Sequence, residues 1–278
     1  MRDLRLEEAI DAIVAAALAE DAADQDLTTL ATVPADARGT ARLIAREACT
    51  IAGLDAFRAV FTRLGGVEID AAADDGDDVA AGATVATLRG SLRSLLTGER
   101  TALNLLQHLS GIATQTRRFV EAAPDATIRD TRKTTPGLRI LEKVAVAAGG
   151  GTNHRMSLAD QILIKDNHIA VAGSVRAAVE AARASARGAW IEVECDALDQ
   201  LEDAIAAGAD EILLDNMSIE DLTEAVRRVS DRVRTEASGG ITLETIAAVA
   251  GTGVHAISIG ALTHSAPSID LSLEVEAD

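Results

Sequence analysis

The rhythm of apolar positions changes near residue 110. Before that point it mixes two periods. Ile10, Ile13, Val14 and Leu18 recur at helical spacing, with acidic Glu7, Glu8 and Asp11 before the apolar stretch and Glu20 and Asp21 after it. Thr40–Arg46 reads as a strand, Leu54–Leu64 as a helix, and Asp75–Leu88 as short β stretches turned at Gly76 and Gly82. A helix from about Leu95 to Gly111, with Leu103, Leu106 and Leu109 among its apolar positions, ends this region.

Beyond it, short apolar runs each end in a charged or glycine position, and helical patterns separate most of them. The runs are Thr127–Arg132, Gln161–Lys165, Trp190–Glu194, Glu211–Asp215, Arg232–Glu236 and His255–Gly260. Their last residues recur at intervals of 33, 29, 21, 21 and 24, each long enough for a strand, loop, helix and loop. Such alternation implies a parallel sheet with right-handed crossovers. A barrel, closed or nearly closed, is favoured over an open sheet. The expected class is α/β, with a C-terminal open or incomplete α/β barrel and an N-terminal α+β sandwich-like domain. The expected division is residues 1–110 and 111–263, with the chain end, 264–278, packing back on the first domain. Strand ends in such barrels carry the catalytic groups, so these residues should meet at one mouth.

Composition narrows the choices. Apolar residues make up 48% of the 278 positions but aromatic ones only 1%, so the core is aliphatic. The net charge of −18 argues against nucleic acid or an anionic membrane as partner. It also resembles the acidic, lysine-poor proteins of salt-loving organisms, so the chain reads as halophilic. Cys49 and Cys195 have neither a disulfide framework nor a zinc spacing. No apolar run approaches membrane-spanning length, and the acidic flank of the first helix is wrong for a signal peptide. A cytoplasmic protein is expected.

Lysine is scarce: only Lys133, Lys143 and Lys165, all within 33 residues of one another. With Arg132, His154 and Arg155 they concentrate basic groups in an acidic chain, which reads as a site for a ligand with several separate negative charges. Lys143 falls on the helix expected at Leu138–Ala148 and reads as structural. Glu194, Asp215 and Glu236 supply carboxylates from later strands. Ser238-Gly239-Gly240 and Gly260-Ala261 follow the last two, where barrel enzymes hold phosphate on backbone N–H groups. Ion pairing and ordinary tight turns are the plain alternatives for any one of these residues. Asp75–Leu88 resembles a lipoyl- or biotinyl-carrier sheet, but a carrier needs a hairpin lysine, and none precedes Lys133.

Three stretches carry a further resemblance: Arg129-Asp-Thr-Arg-Lys-Thr-Thr-Pro-Gly-Leu-Arg139, Gly149-Gly-Gly-Thr-Asn-His-Arg155 and Ile164-Lys-Asp-Asn-His-Ile169. With Gly98–Thr114, Ile191–Cys195, Leu213–Asn216, Glu236–Ile241 and Gly260–Ser265, in order along nearly the whole chain, they resemble the quinolinate phosphoribosyltransferase family. One departure is Glu20–Thr28, which lacks the glycines associated with the family there.

The resemblance implies transfer of phosphoribose from phosphoribosyl pyrophosphate to quinolinate, with decarboxylation and magnesium. It implies that Arg132, His154 and Arg155 line the quinolinate pocket, with Arg100 reaching in from the partner subunit of a homodimer. Lys133 and Lys165 would contact donor phosphates. Glu194 and Asp215 would hold ribose hydroxyls and Mg2+, directly or indirectly. Ser238, Gly239, Gly240 and Gly260 would cradle the 5′-phosphate. Lys133, Lys165, Glu194 and Asp215 are the catalytic candidates. His168 reads equally as site or core, Glu236 has no assigned role, and His108, His255 and His264 have no metal spacing. Rival readings are a Schiff-base lyase through Lys165, a non-catalytic phosphate-binding barrel, and a sister enzyme acting on nicotinate.

Overall fold

A computed structural model describes residues 4–185 and 188–278. In chain order the elements begin with α1 (Leu4–Glu20), α2 (Leu27–Thr32), β1 (Arg38–Ala45), β2 (Cys49–Thr50), α3 (Leu54–Leu64), β3 (Val67–Ala71), β4 (Asp78–Val79) and β5 (Thr84–Ser91). The long helix α4 (Leu92–Ala122) leads to β6 (Thr127–Arg129), α5 (Arg139–Ala148), β7 (Ile162–Ile164), α6 (Asp166–Ala172) and α7 (Val175–Ser185). Then come β8 (Ile191–Cys195), α8 (Leu201–Ala206), β9 (Glu211–Asp215), α9 (Ile219–Val229), β10 (Arg234–Ser238), α10 (Ile246–Ala250), β11 (Ala256–Ser258), α11 (Ala261–His264) and β12 (Leu271–Ala277).

The chain forms two compact units. The first holds residues 1–117, 134–150 and 262–278; the second holds 118–133 and 151–261. The segment 134–150, which carries α5, therefore groups with the first unit, whereas the sequence reading ran one domain unbroken from 111 to 263.

In the first unit, β12, β1, β5 and β3 make an antiparallel sheet in that order. Ala41, Leu43, Val85 and Leu88 are buried on it. Outward-facing Arg42 lies directly opposite Glu274 and pairs with it at 2.9 Å. Helix α4 runs well past the end expected at Gly111, because Ile112, Ala113 and Phe119 continue its buried face. Gly111 is a packing residue, not a stop: a Cβ there would lie 2.1 Å from the Pro267 carbonyl oxygen. In α1, Ile10, Val14 and Leu18 are buried, while Ile13 is half-buried.

In the second unit six parallel strands run in the order β6-β11-β10-β9-β8-β7. In chain order that is a barrel sequence cut between its first two strands. β6 and β7 sit at opposite ends of the sheet, so the barrel is open and its closed form is excluded. Thr152 extends the β6 edge by one bridge to Arg129, its N–H donating to the Ile128 carbonyl at 2.8 Å.

Register puts chemistry on one face. Side chains alternate along each strand. Glu192 pairs with Glu211, Glu194 and Glu236 with Leu213, Ser238 with Asp215 and Ser258, and Ser258 with Arg129. Those residues share a face. Ile191, Val193, Cys195, Ile212, Leu214, Ala237 and Ile257 occupy the other and are buried. The run expected as Arg232–Glu236 begins instead at Arg234, since the Arg232 guanidinium turns back to the Val229 carbonyl at the end of α9. Among the described residues no helix is long and apolar enough to cross a membrane.

Candidate active site

The shared face opens into a cleft of about 500 Å³ in the second unit. Arg132, Lys133, His154, Arg155, Lys165, Glu194, Asp215, Ser238, Gly239 and Gly240 all line it. Glu236, Ser258 and Asn216 line it too. Gly260, two residues past β11, is not among the lining residues, and Arg100 is exposed on α4 in the first unit.

The cationic side has a local cause. Asp130, fully buried, accepts the His154 backbone N–H at 2.8 Å. With the Thr152 bridge, this ties the Gly-Gly-Gly-Thr-Asn-His-Arg segment to the end of β6, so His154 and Arg155 sit beside Arg132. Burial and the nearby Arg132 charge both disfavour ionisation of the Arg155 guanidinium, lowering it from its ordinary value. Two repelling guanidinium groups facing one cleft favour an anion between them. The loop beyond is tied by Asp160, which accepts the backbone N–H groups of Met156 at 2.6 Å and Ser157 at 2.9 Å.

Opposite lies the carboxylate wall. Lys165 Nζ donates to Glu194 Oε2 at 2.5 Å, and Asn216 Nδ2 donates to Asp215 Oδ2 at 2.6 Å. Asn216 adopts the left-handed conformation (φ 54°), and its N–H bonds the Ser238 carbonyl at 2.9 Å. Gly239 (φ 100°) abuts it so closely that a Cβ would lie 2.1 Å from Asn216 Oδ1. Only glycine fits there. Gly240 also has positive φ, and such turns present backbone N–H groups to anions.

Beneath the cleft is a buried charged floor. Glu192 and Glu236 are fully buried and Glu211 nearly so. Arg129 donates to Glu236 and, at 3.0 Å, to Glu211. Ser258 Oγ donates to Glu236 Oε1 at 2.5 Å. His154 Nε2 stands 3.0 Å from Glu192 Oε2 and 3.6 Å from Glu236 Oε1. Burial pushes the Glu236 carboxyl up and the Glu192 charge adds to this, against the opposing effects of His154, Ser258 and Arg129. For Arg129, burial favours the neutral form, but the Glu236 and Glu211 charges outweigh it and hold the guanidinium above its ordinary value. His154 is raised in the same way, burial being overcome by the Glu192 hydrogen bond and the Glu192 and Glu236 charges.

Other candidates lie elsewhere. Lys143 is fully buried on α5 in the first unit, beside buried Glu142, whose Oε1 contacts His108 Nε2 at 2.9 Å. His168 is exposed, not in the core, and its Nδ1 accepts the Lys165 N–H at 2.9 Å. Sequence reasoning gave no role to Arg129, Glu192, Glu211, Asn216 or Ser258. Their signal was present in part: in Ile-Glu-Val-Glu both glutamates fall on one strand face, so if Glu194 lines a mouth, Glu192 lies beneath it.

The chain matches two described domains of one family. The quinolinate phosphoribosyl transferase N-terminal domain matches residues 26–110, and the C-terminal domain matches residues 112–274. The chain is 46% identical to the nicotinate-nucleotide pyrophosphorylase (carboxylating) of Mycobacterium leprae, covering 90% of this chain and 91% of that protein. It is 37% identical to quinolinate phosphoribosyltransferase (decarboxylating) 1b of Nicotiana tabacum, covering 96% and 82%. The crystal structure of NadC from Streptococcus pyogenes superposes with a TM-score of 0.95 at 44% identity, over 100% of both chains. The chain belongs to the quinolinate phosphoribosyltransferase family.

Proposed function

We propose that this chain transfers the phosphoribosyl group of phosphoribosyl pyrophosphate to quinolinate with decarboxylation, forming nicotinate mononucleotide, pyrophosphate and CO2 for NAD biosynthesis. The observation that carries the reading is the convergence of Arg132, Lys133, His154, Arg155 and Lys165 with Glu194, Asp215 and Ser238–Gly240 in one cleft.

Quinolinate presents two adjacent carboxylates, and the planar forks of Arg132 and Arg155 suit them. Lys133 and Lys165 take donor phosphates, and the backbone N–H groups at Ser238, Gly239 and Gly240, with Gly260 beyond β11, take the 5′-phosphate. Glu194 and Asp215 hold ribose hydroxyls. Both are half-buried carboxylates that already hold one partner each, which suits an ion completing its shell with water and pyrophosphate oxygens. When bound there, Mg2+ supplies charge neutralisation on the leaving pyrophosphate. As that group departs, C1 of the ribose becomes oxocarbenium-like, and the pyridine nitrogen attacks from a position set by the two arginines. The new pyridinium then stabilises the electron pair left on the ring carbon as CO2 departs, and a proton from solvent completes the C–H bond of nicotinate mononucleotide. Fixed charge around the reacting atoms does most of the work.

Lys165 Nζ is already held by Glu194 at 2.5 Å, an arrangement that suits contact with a phosphate rather than attack on a keto substrate. The working form is a cytoplasmic homodimer in which Arg100 of the partner subunit completes the quinolinate pocket. The acidic composition suits function in concentrated salt. Assaying nicotinate mononucleotide and pyrophosphate, with quinolinate or nicotinate as acceptor and with or without Mg2+, tests the reading. Turnover should require quinolinate and the metal. Equal use of nicotinate, or borohydride trapping of a keto substrate on Lys165, would overturn it.

A further inference from the structure

Both ring nitrogens of His154 are engaged within the protein. Nδ1 accepts the backbone N–H of Arg155 at 2.7 Å, and Nε2 lies 3.0 Å from Glu192 Oε2. In a neutral imidazole one nitrogen carries the proton and the other accepts. A ring accepting at Nδ1 therefore carries its proton on Nε2, where Glu192 receives it. Glu192 Oε2 also accepts from Gln161 Nε2 at 2.8 Å, so the carboxylate is held from two sides. It is fully buried, and the His154 side chain is only 7% exposed.

His154, Glu192 and Glu236 each bring a potential ligand atom within 4.8 Å of the others, a grouping able to hold a metal ion. The hydrogen-bond pattern argues against that use. A metal needs the Nε2 lone pair, which would put the ring proton on Nδ1, against the Arg155 N–H. The carboxylates instead select a tautomer.

We propose that Glu192 is a positioning residue for di-acid recognition: it fixes His154 as the Nε2–H tautomer, so that Nδ1 clamps the Arg155 backbone and aims the Arg155 guanidinium at one of the two substrate carboxylates. The inference rests on the reading of Arg155 as a quinolinate ligand. It goes further in making His154 contribute through Arg155 and in giving the buried floor a part in specificity. Positioning a recognising side chain through a packed, hydrogen-bonded support is what such specificity requires.

The test uses the full chain with 15N-histidine labelling. Long-range proton–nitrogen correlation, with the ring signals assigned by loss in His154→Asn, reads the tautomer between pH 6 and 9.5. The expected result at the upper end is the Nε2–H form in the parent and in Glu192→Gln, whose amide oxygen still accepts, and a mixture of tautomers in Glu192→Leu. In kinetics, Glu192→Leu should raise the quinolinate KM about tenfold or more, while the phosphoribosyl pyrophosphate KM stays within about threefold; Glu192→Gln should remain near the parent on both. Should Glu192→Leu not fold, Glu192→Asp, which withdraws the carboxylate by one methylene, carries the same expectation. An Nδ1–H ring or a persistent imidazolium in the parent at the upper end would overturn the inference. So would a rise of both KM values together, or an unchanged quinolinate KM. The ring signals are read without turnover, so an enzyme inactive on quinolinate would sink the functional reading while leaving the tautomer measurable.

Discussion

The four-stranded and the six-stranded sheets of this protein use alternation in opposite senses. In the antiparallel sheet of the first unit, β1 turns Ala41 and Leu43 inward and Arg42 outward, where it meets Glu274 in water. In the parallel sheet of the second, β8 buries Ile191, Val193 and Cys195 on one face, and Glu192, on the other, is also fully buried. Polar positions thus go to solvent in one sheet and into the interior in the other. Parallel strands covered on both faces ordinarily read as continuous apolar runs. Replacing that inner apolar face with Glu192, Glu211, Glu236 and Arg129 sacrifices packing for a fixed set of charges under the cleft, because buried ion pairs contribute little net stability. One sheet holds the fold; the other supports a site.

The largest expected consequence is functional. Arg155→Ala should lower kcat/KM for quinolinate about 10³-fold, the order expected when one partner of a desolvated charge pair is removed. Its melting temperature should stay within about 3 °C of the parent, since the side chain is on the cleft wall and not in the core. Steady-state kinetics with a thermal melt reads both. Near-parental activity would remove Arg155 from the site.

Next come paired substitutions in the two sheets. Glu236→Leu leaves Arg129 with Glu211 and strips an acceptor from Ser258, so it should cost about 3 kcal/mol of stability or more and reduce activity as well. Leu88→Ala, in the apolar sheet, should cost about 2–5 kcal/mol through the cavity it leaves, with both KM values unchanged for the folded fraction. If Glu236→Leu affected only stability, the division of labour between the sheets would fail.

This contrast also explains what the sequence made legible. The repeat of strand and helix lengths beyond residue 110 was enough for a barrel-like sheet, and strand-end charges such as Lys165 and Asp215 announced a mouth. Whether the barrel closes depends on β6 meeting β7, a long-range pairing with no local signature. Helix α4 overran its expected end because Gly111 reads as a stop until its neighbour at Pro267 is known. Glu236, ending its run, was already counted among the carboxylates of the mouth, whereas Arg129 and Glu192 were visible only as charges inside apolar runs. Alternation alone does not say which face meets water, so in isolation they read as ordinary surface residues. Lys143 showed the reverse error available to a count of scarce lysines: it lies with the other two in sequence but is buried in the other unit.

The cysteines provide a smaller test, one in each unit. Burial, reinforced by neighbouring acids, pushes the Cys49 thiol up to about 11 and the Cys195 thiol up to about 12. Iodoacetamide at pH 8 should therefore label the native protein on the order of 100-fold more slowly than a free thiol, with both sites reacting after unfolding. Cys195 should be the slower of the two. Rapid native labelling at Cys195 would mean that β8 opens readily, and a floor on such a strand could not hold fixed charges.

The smallest effect belongs to charge on the surface of α9. On α9, Glu224 accepts from both Arg227 and Arg228 at 2.7 Å, and these bonds hold its carboxyl down at about 2. A depressed carboxyl contributes stability that is complete above its ordinary value near 4.5 and lost as pH falls through about 2. The cluster lies at the surface of α9, so solvent and salt screen the contribution. Melting temperatures of the parent and Glu224→Gln should therefore differ slightly above pH 4.5 and converge toward pH 2, with the gap narrower still in concentrated salt. A large, salt-independent gap would put on the surface the kind of coupling that the comparison of the two sheets assigns to the buried floor.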